Sequence, residues 1–569
     1  MTFAVITPAF AAEASHTLTI NSQTGGHTFE AYQVFAGDYS TEGGGEHLSN
    51  VTWGSGVDGS ALLAALKSDV TIGNAFTDCA TAADVATVLE GYGDDSASLD
   101  AFAAVVGEHL TKTHTNSGEP TGTAPNLVYT ISNLDDGYYF VKDQDDSLAG
   151  QESNAYTKFM LRVLGDETVE AKADFPPFDK KIDGATDTDT ENGNDPVSSN
   201  NAAIGDKVPY ILTSEVPDMD GYDTYWFIVN DTLSTGLTFN GDVTVKIGDS
   251  TLTKGDDYTV TTSGGGNQET SVRIVFNNFI RYKNQAGNAI TITYSATLNE
   301  GAVIGAVGGN PNKAQLIYSN DPNYDYDGDE PLGDEPTGKT PEVTVRTYVT
   351  GIRIAKVGED GRTALTGAKF KIEGSRLNTV LVSGTRYVKD PNGTYYQLKP
   401  TTSNGEYTYT NEAPTDQTKD AYVDPTGTTK FRLDTFTDSP ITKVEDVSYE
   451  GWVDANGVLV FKGLGAGEYT ITELVAPNGY NLLPSPITVN IGWQAPTNGS
   501  SDCTWSTTTD GAAYDASDGM IHITIENQAG ATLPSTGGIG TTVFYVTGGV
   551  LVVGALIAYT VKRRMDAQA

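Results

Sequence analysis

Cysteine is almost absent from this sequence, since Cys79 and Cys503 are the only two among 569 residues. Two cysteines so far apart make no disulfide framework, so covalent support would have to come from other chemistry. Basic residues are scarce as well: 34 face 74 acidic residues, and the formal net charge is -40. This charge excludes nucleic acid as a partner, because binding nucleic acid requires a basic footprint. It is typical of a soluble extracellular protein, although a halophilic enzyme would share it.

Groups that commonly carry catalysis or bind metals are few and scattered. The glycine runs 43–45 and 264–266 are not followed by phosphate-loop residues. Asp325, Asp327 and Asp329 alternate as in a Ca²⁺ loop, but the glycine and the distal glutamate of an EF-hand are not correctly placed, which favours a solvated acidic linker. We therefore predict no metal, no cofactor and no enzyme active site. The histidines have no ligand spacing to one another and are His16, His27, His47, His109, His114 and His522.

Long apolar runs are equally rare, and the clearest one covers about 543–561 near the C-terminus. It is long enough to cross a bilayer as a helix. Lys562, Arg563 and Arg564 follow it and would hold the last residues on the cytoplasmic side. Taken alone, this run predicts a plain membrane anchor.

A pentapeptide in front of that run changes the interpretation. It contains Leu533, Pro534, Thr536 and Gly537, and the order of pentapeptide, apolar helix and basic tail over 533–569 resembles the LPxTG signal of sortase substrates. The resemblance implies that a sortase cysteine cleaves between Thr536 and Gly537. The Thr536 carbonyl would then be held as a thioester and passed to an amine, and the mature protein would lose the helix.

The N-terminus supports export. Residues 1–14 resemble the end of a signal peptide, with small residues at Ala11, Ala12 and Ala14. They lack a basic region and a full apolar core, so we expect the true start to lie upstream; a disordered terminus is the alternative. Together the two ends predict a secreted protein anchored to the cell wall of a Gram-positive bacterium, with transient membrane retention before sorting.

The body of the chain is predicted to be mostly β and divides into three segments. The first segment, 15–172, combines strand patterns with alanine-rich helical spacing and is α+β. The second segment, 173–322, has short strands separated by turn residues, as in an immunoglobulin-like β-sandwich. A linker rich in Asp, Pro and Gly covers 323–342, and the third segment, 343–530, is again strand-rich. The helical patterns of the first segment lie at 60–67, 82–90 and 97–111.

The third segment carries a lysine, a glutamate and an asparagine on its framing strands: Lys356, Glu473 and Asn527. This pattern resembles the Cna B-type domain, which forms a spontaneous isopeptide bond. The resemblance implies that Lys356 attacks Asn527 while Glu473 catalyses. The physical chemistry agrees, because burial lowers a lysine pKa and raises a carboxyl pKa. A neutral amine can then attack the amide while a protonated carboxyl shuttles protons.

The second segment has a parallel set and resembles the Cna A-like middle domain of pilins. Lys180 matches the family lysine, Asp231 the catalytic acid and Asn312 the acceptor. Lys181 and Asn320 remain alternative partners, because neighbouring residues blur the alignment. The first segment opens without a lysine, so we predict no such bond there.

The first segment resembles the N-terminal domain of major pilins, the shaft subunits of sortase-assembled pili. The whole chain is thus similar to SpaA-like fimbrial proteins. The resemblance implies that a lysine at the end of the first segment accepts the Thr536 acyl group of the next subunit, which gives an open fibre. Lys172 is the candidate, although the family's Tyr-Pro before the lysine is missing; Lys158 and Lys142 are alternatives.

The resemblance implies a structural function supporting adhesion. The expected partners are pilus-specific and housekeeping sortases, neighbouring pilin subunits and peptidoglycan, with any host or matrix ligand unknown. A monomeric wall-anchored adhesin and a minor pilin at the tip or base share the same ends and sandwich domains. A secreted enzyme on stalk domains is a third alternative, but the sequence shows no catalytic cluster for it.

Overall fold

The structure is a computed structural model, and strands dominate it, in agreement with the predicted fold class. It describes residues 15–40, 47–93, 96–145, 147–148, 155–171, 175–183, 196–322, 324–333, 335–374, 376–401, 404–415, 418–442, 448–497, 499–531 and 539–566.

The first segment contains two sheets and a group of helices. One sheet has the strand order β5-β6-β1-β9 and the other β3-β2-β7-β8, with β4 paired to β2. The three helical patterns predicted from the sequence are confirmed. The strands are β1 His16–Ser22, β2 Phe29–Ser40, β3 His47–Trp53, β4 Thr115–Asn116, β5 Thr121–Thr123, β6 Asn126–Leu134, β7 Gly137–Asp143, β8 Lys158–Val163 and β9 Glu167–Glu170. The helices are α1 Gly59–Ser68, α2 Gly73–Phe76, α3 Ala82–Leu89 and α4 Ala97–Gly107.

The second segment folds as two sheets around a shared apolar core. One sheet has the order β10-β12-β19-β15-β16, with β14 paired to β19. In the other sheet β13 lies between β18 and β20, and β17 pairs with β18. The strands are β10 Asp179–Ile182, β11 Ser199–Asn201, β12 Lys207–Glu215, β13 Phe227–Leu233, β14 Leu237–Phe239, β15 Thr244–Ile247, β16 Ser250–Thr251, β17 Tyr258–Gly264, β18 Thr270–Phe276, β19 Ala289–Leu298 and β20 Gly305–Ser319. The range predicted as a linker adds β21 Thr337–Lys339. A 3₁₀ helix covers Phe279–Gln285.

The third segment is a second sandwich with its own core. The stretch between 375 and 445 holds β24 to β27, in which β24 and β27 form a long antiparallel hairpin. A short 3₁₀ helix covers Lys419–Ala421. The strands are β22 Val343–Val357, β23 Lys369–Gly374, β24 Thr379–Lys389, β25 Tyr396–Leu398, β26 Thr408–Thr410, β27 Phe431–Thr442, β28 Tyr449–Trp452, β29 Val458–Leu464, β30 Gly467–Val475, β31 Ile487–Gln494, β32 Thr504–Thr507, β33 Ala512–Asp515 and β34 Met520–Glu526.

Strand β22 belongs to both sandwiches. Its first half pairs with β20 of the second segment, where Asn312 lies opposite Val345. Its second half pairs antiparallel with β29 and parallel with β34 of the third segment. One uninterrupted strand therefore connects the two folding units, and it places Lys356 near its C-terminal end.

The C-terminal helix, α5 Ile539–Asp566, contains the apolar run that the sequence predicted. Residues Val543–Met565 are long and apolar enough to cross a membrane. The side chains described there are exposed, as expected for a helix that packs against lipid rather than protein.

Candidate functional site

The third segment brings Lys356, Glu473 and Asn527 together in its core. Strands β22 and β34 are parallel neighbours, and Lys356 lies opposite Ile525, so Asn527 follows just beyond the end of the ladder. The Lys356 amine donates to Asn527 Oδ1 at 2.5 Å. The Asn527 amide donates to both Glu473 oxygens, at 3.0 and 3.1 Å. The amine, the side-chain amide and the carboxyl therefore form one contiguous hydrogen-bonded group.

Burial tunes both titrating groups of this site. The exposed fraction is 0% for Lys356, 4% for Glu473 and 1% for Asn527. Burial lowers the pKa of Lys356 to about 8, against the opposing charges of Glu473 and Glu526. Burial also raises the pKa of Glu473, although hydrogen bonds from the Leu483 amide and from Asn527 act in the other direction. Both shifts favour the neutral amine and the protonated carboxyl.

The second segment holds a similar group between its two sheets. Lys180 on β10, Asp231 on β13 and Asn312 on β20 are buried, with at most 1% exposure. The Lys180 amine donates to Asp231 Oδ2 at 2.5 Å and to the Tyr294 hydroxyl at 2.8 Å. The Asn312 amide donates to the same hydroxyl at 2.8 Å. Amine and amide thus meet at the oxygen of Tyr294.

The electrostatics of this second site follow the same rule. Burial lowers the pKa of Lys180 to about 8, while the negative charge of Asp231 opposes the shift. Burial raises the pKa of Asp231, and the contacts with Lys180 and Tyr294 oppose that shift. An ion pair in such a core is costly, so the neutral forms of both groups are accessible.

The alternative partners lie elsewhere. Lys181 points to the protein surface, where its amine donates to Ser198 at 3.0 Å. Asn320 is buried at the end of β20, and its backbone carbonyl accepts a bond from the Tyr156 amide at 2.6 Å. Of the candidate asparagines, Asn312 is therefore the one that shares a hydroxyl with Lys180.

The residues expected to join subunits lie mainly outside the described part of the chain. Lys172 and the pentapeptide 533–537 are both outside the described residues. Of the alternative lysines, Lys142 is buried and forms an ion pair with Asp145. Lys158 donates to the Pro322 carbonyl at 3.0 Å, and burial lowers its pKa.

Tyr294 was not among the site residues predicted from the sequence. Its strand, β19, reads as an ordinary alternation of apolar and polar residues, in which an inward tyrosine looks like a packing residue. The usable signal was its position: a tyrosine facing the core needs a hydrogen-bond partner, and this core was predicted to contain Lys180 and Asp231.

Comparisons with known proteins agree with this organisation. The family model described as "Gram-positive pilin backbone subunit 2, Cna-B-like domain" matches 204–322. A prealbumin-like fold domain, SpaA, matches 428–501, and the LPXTG cell wall anchor motif matches 525–566. The trypsin-resistant surface T6 protein of Streptococcus pyogenes serotype M6 is 27% identical over 441 residues, or 73% of this chain and 74% of the relative. The chain is similar to Gram-positive backbone pilins, and these matches together support a sortase-assembled major pilin.

The fold agrees with that of a solved structure. The T6 backbone pilin of Streptococcus pyogenes serotype M6 has 16% identity and a TM-score of 0.50, and the match covers 92% of this backbone pilin and all of that chain. The full-length major pilin SpaD from Corynebacterium diphtheriae has 16% identity and a TM-score of 0.43, with 92% and 98% of the chains covered. The family model for 204–322 describes a Cna-B-like domain, which differs from the Cna A-like fold expected for that segment.

The anchor match gives the location of this backbone pilin. It is a structural shaft protein of the sortase-assembled type, on the surface of a Gram-positive bacterium and attached to the cell wall. Sortase processing, polymerisation with other pilin subunits and wall attachment follow from the same matches.

Proposed function

We propose that this backbone pilin polymerises head to tail, with Thr536 of one copy joined to Lys172 of the next. The support for the donor end is the matched anchor over 525–566, which includes the pentapeptide. The support for the acceptor end is the position of Lys172, which follows β9 at the junction between the first two segments. The T6 relative is a backbone pilin, which favours a shaft over a monomeric adhesin or a minor pilin.

The transfer conserves atoms in two steps. A sortase cysteine attacks the Thr536 carbonyl and releases the fragment that begins at Gly537. The neutral lysine amine then attacks the thioester, forms an amide with Thr536 and returns the cysteine thiol. The lysine amine must lose its proton before it can act as the nucleophile. It must also be accessible to the thioester on the sortase.

Wall extracts boiled in detergent test this assignment. We expect a ladder of high-mass species from the wild-type protein and a single band from Lys172→Arg. Lys254→Arg is the control, because Lys254 is an exposed lysine of the second segment. A ladder that persists in Lys172→Arg would show that another lysine is the acceptor. A single band from the wild-type protein would favour the monomeric adhesin.

We also propose two internal isopeptide bonds, Lys356–Asn527 and Lys180–Asn312. The contact that carries the first is the 2.5 Å approach of the Lys356 amine to Asn527, beside a carboxyl whose pKa is raised. The second is supported by the shared Tyr294 hydroxyl and by the burial of all the groups involved. Glu473 and Asp231 would act as the respective proton shuttles.

Intact mass measures these bonds directly, because each one releases one ammonia. We expect two losses in the wild type and one each in Glu473→Gln and Asp231→Asn. Glu468→Gln is the matched control, since Glu468 lies on the same strand as Glu473 but is exposed. A wild-type mass equal to that of the uncrosslinked chain would disprove both bonds.

A further inference from the structure

The two cross-linking sites differ in how the acid reaches the asparagine. In the third segment Glu473 accepts directly from the Asn527 amide. In the second segment no hydrogen bond among the described residues joins Asp231 to Asn312. A tyrosine oxygen lies between them: the Tyr294 hydroxyl donates to Asp231 Oδ2 at 2.6 Å and accepts from the Asn312 amide at 2.8 Å.

We propose that Tyr294 is the proton relay of the second site and carries a proton from Asp231 to the leaving nitrogen of Asn312. This inference rests on the proposed Lys180–Asn312 bond. It assigns a chemical role to a residue that would otherwise only fill the core. It also predicts that isopeptide bond formation follows different proton-transfer paths at the two sites of this protein.

The atoms balance along this path. The neutral Lys180 amine attacks the Asn312 side-chain carbonyl carbon and forms the new C–N bond. Asp231, in its protonated form, passes its proton to Tyr294, which passes its own hydroxyl proton to the amide nitrogen. The C–N bond of the amide breaks and ammonia leaves. The attacking nitrogen returns one proton to Asp231, which lies 2.5 Å away, so the acid and the tyrosine end unchanged.

The ring of Tyr294 is held in place for this role. Tyr210 lies opposite it in the β12–β19 register, and the two ring centroids are 5.2 Å apart. Phe239 packs edge-on at 5.6 Å. The Lys180 nitrogen lies 5.4 Å from the Tyr294 centroid and 5.2 Å from that of Tyr210. This packing supports the position of the hydroxyl between the acid and the amide.

The side-chain oxygens of the second site that accept no hydrogen bond are consistent with a relay through Tyr294. Asp231 Oδ1 and Asn312 Oδ1 have no hydrogen-bond partner among the described residues, so Tyr294 provides the polar connection between these two side chains. Burial raises the pKa of Tyr294 well above its usual value, with Asp231 the next cause. The hydroxyl therefore keeps its proton near neutral pH and can both give and receive one, as a relay must.

Refolding of the full chain tests the relay. The chain is recovered unfolded and uncrosslinked, diluted into native buffer and sampled over time by intact mass and peptide mapping. We expect Tyr294→Phe to slow the Lys180–Asn312 bond at least tenfold while the Lys356–Asn527 bond forms at the wild-type rate. Tyr210→Phe, which removes a neighbouring buried hydroxyl, is the matched control and should form both bonds normally.

A second variant separates proton transfer from packing. A fluorinated tyrosine at 294 keeps the ring and hydroxyl but lowers the phenol pKa, so a relay changes the second-site rate and a purely structural tyrosine does not. If Tyr294→Phe or the fluorinated chain forms the Lys180–Asn312 bond at the wild-type rate, the relay is wrong. If the wild type itself lacks that bond, the proposed bond fails, and the relay fails with it.

Discussion

At the scale of single residues, both sites place a lysine and a carboxyl in the core, where a charged group is destabilised by the loss of its solvation. An ion pair removed from water loses solvation that its attraction recovers only in part. A bond between Lys356 and Asn527 would remove the ammonium permanently and leave a neutral amide in the core. The unfavourable starting state and the neutral product both favour reaction over a permanent buried ion pair.

The rate at which the Lys356–Asn527 bond forms should therefore show a bell-shaped dependence on pH. The reactive pair carries one proton, on Glu473, while Lys356 is neutral; this is one arrangement of the singly protonated pair. Below the raised pKa of Glu473 the amine keeps its proton as well, and the rate falls. Above about pH 8, the pKa of Lys356, the carboxyl has lost the proton that ammonia needs, and the rate falls again.

Refolding at a series of pH values, followed by mass, would measure this profile. Glu473→Gln should give no Lys356–Asn527 bond at any pH, which fixes the baseline. A rate that keeps rising above pH 9 would contradict the need for a protonated carboxyl and would leave amine deprotonation as the only requirement.

What could be read from sequence at this scale depends on the kind of signal. Lys356, Glu473 and Asn527 stand in strand motifs that a family resemblance identifies, and the structure brings them together. Tyr294 carries no such motif, because its hydroxyl acquires a role only when β12, β13 and β20 close around it. Long-range packing of that kind has no local pattern in the sequence.

At the scale of elements, β22 connects the sandwiches as one strand rather than as a flexible joint. Residues 323–342 were predicted as a solvated linker, yet Tyr326 in that range is only 4% exposed and β21 pairs with β20. The Asp, Pro and Gly content indicated turns correctly, but a buried tyrosine among acidic residues gives no periodicity. Residues 323–342 therefore have the composition of a linker but pack against the rest of the protein.

Gly351 tests how closely β22 must approach its neighbour. It lies next to an irregularity in the β22–β29 register, and a Cβ there would meet the Phe461 carbonyl at 2.6 Å. We expect Gly351→Ala to destabilise the third segment by about 1–3 kcal/mol, because the strands must separate. Urea unfolding monitored by tryptophan fluorescence measures the change. Gly165→Ala, where nothing lies within 4 Å, is the control, and equal effects would refute the close-approach argument.

At the scale of the whole molecule, the two proposed bonds and β22 form one path for tension. Force entering at Lys180 would cross to Asn312, pass along β20 and β22 to Lys356, and leave at Asn527 just before the sorting signal. A cross-link over loops of this length also restricts the unfolded chain; the disulfide analogue is worth about 5 kcal/mol. Because the bond is an amide, this stabilisation would survive reduction, which suits a chain with two cysteines.

Assembly of the whole molecule also depends on its last turn. The helix over Val543–Met565 ends in Lys562, Arg563 and Arg564, whose charges resist transfer across the membrane. Replacing all three with glutamine should allow the chain to leave the membrane on its outer side before sortase acts, because only the apolar run would then retain it. We expect pilin to move from the wall fraction to the culture medium, and the high-mass ladder to weaken in immunoblots.

The matched control keeps the charge and changes the residues, with Lys562→Arg, Arg563→Lys and Arg564→Lys in one chain. This variant should remain wall-attached, since retention depends on positive charge rather than on side-chain shape. Equal wall attachment of the glutamine variant would mean that the apolar helix alone holds the substrate long enough for cleavage after Thr536. In that case membrane residence, and not the orientation set by the tail, would limit how much pilin reaches the shaft.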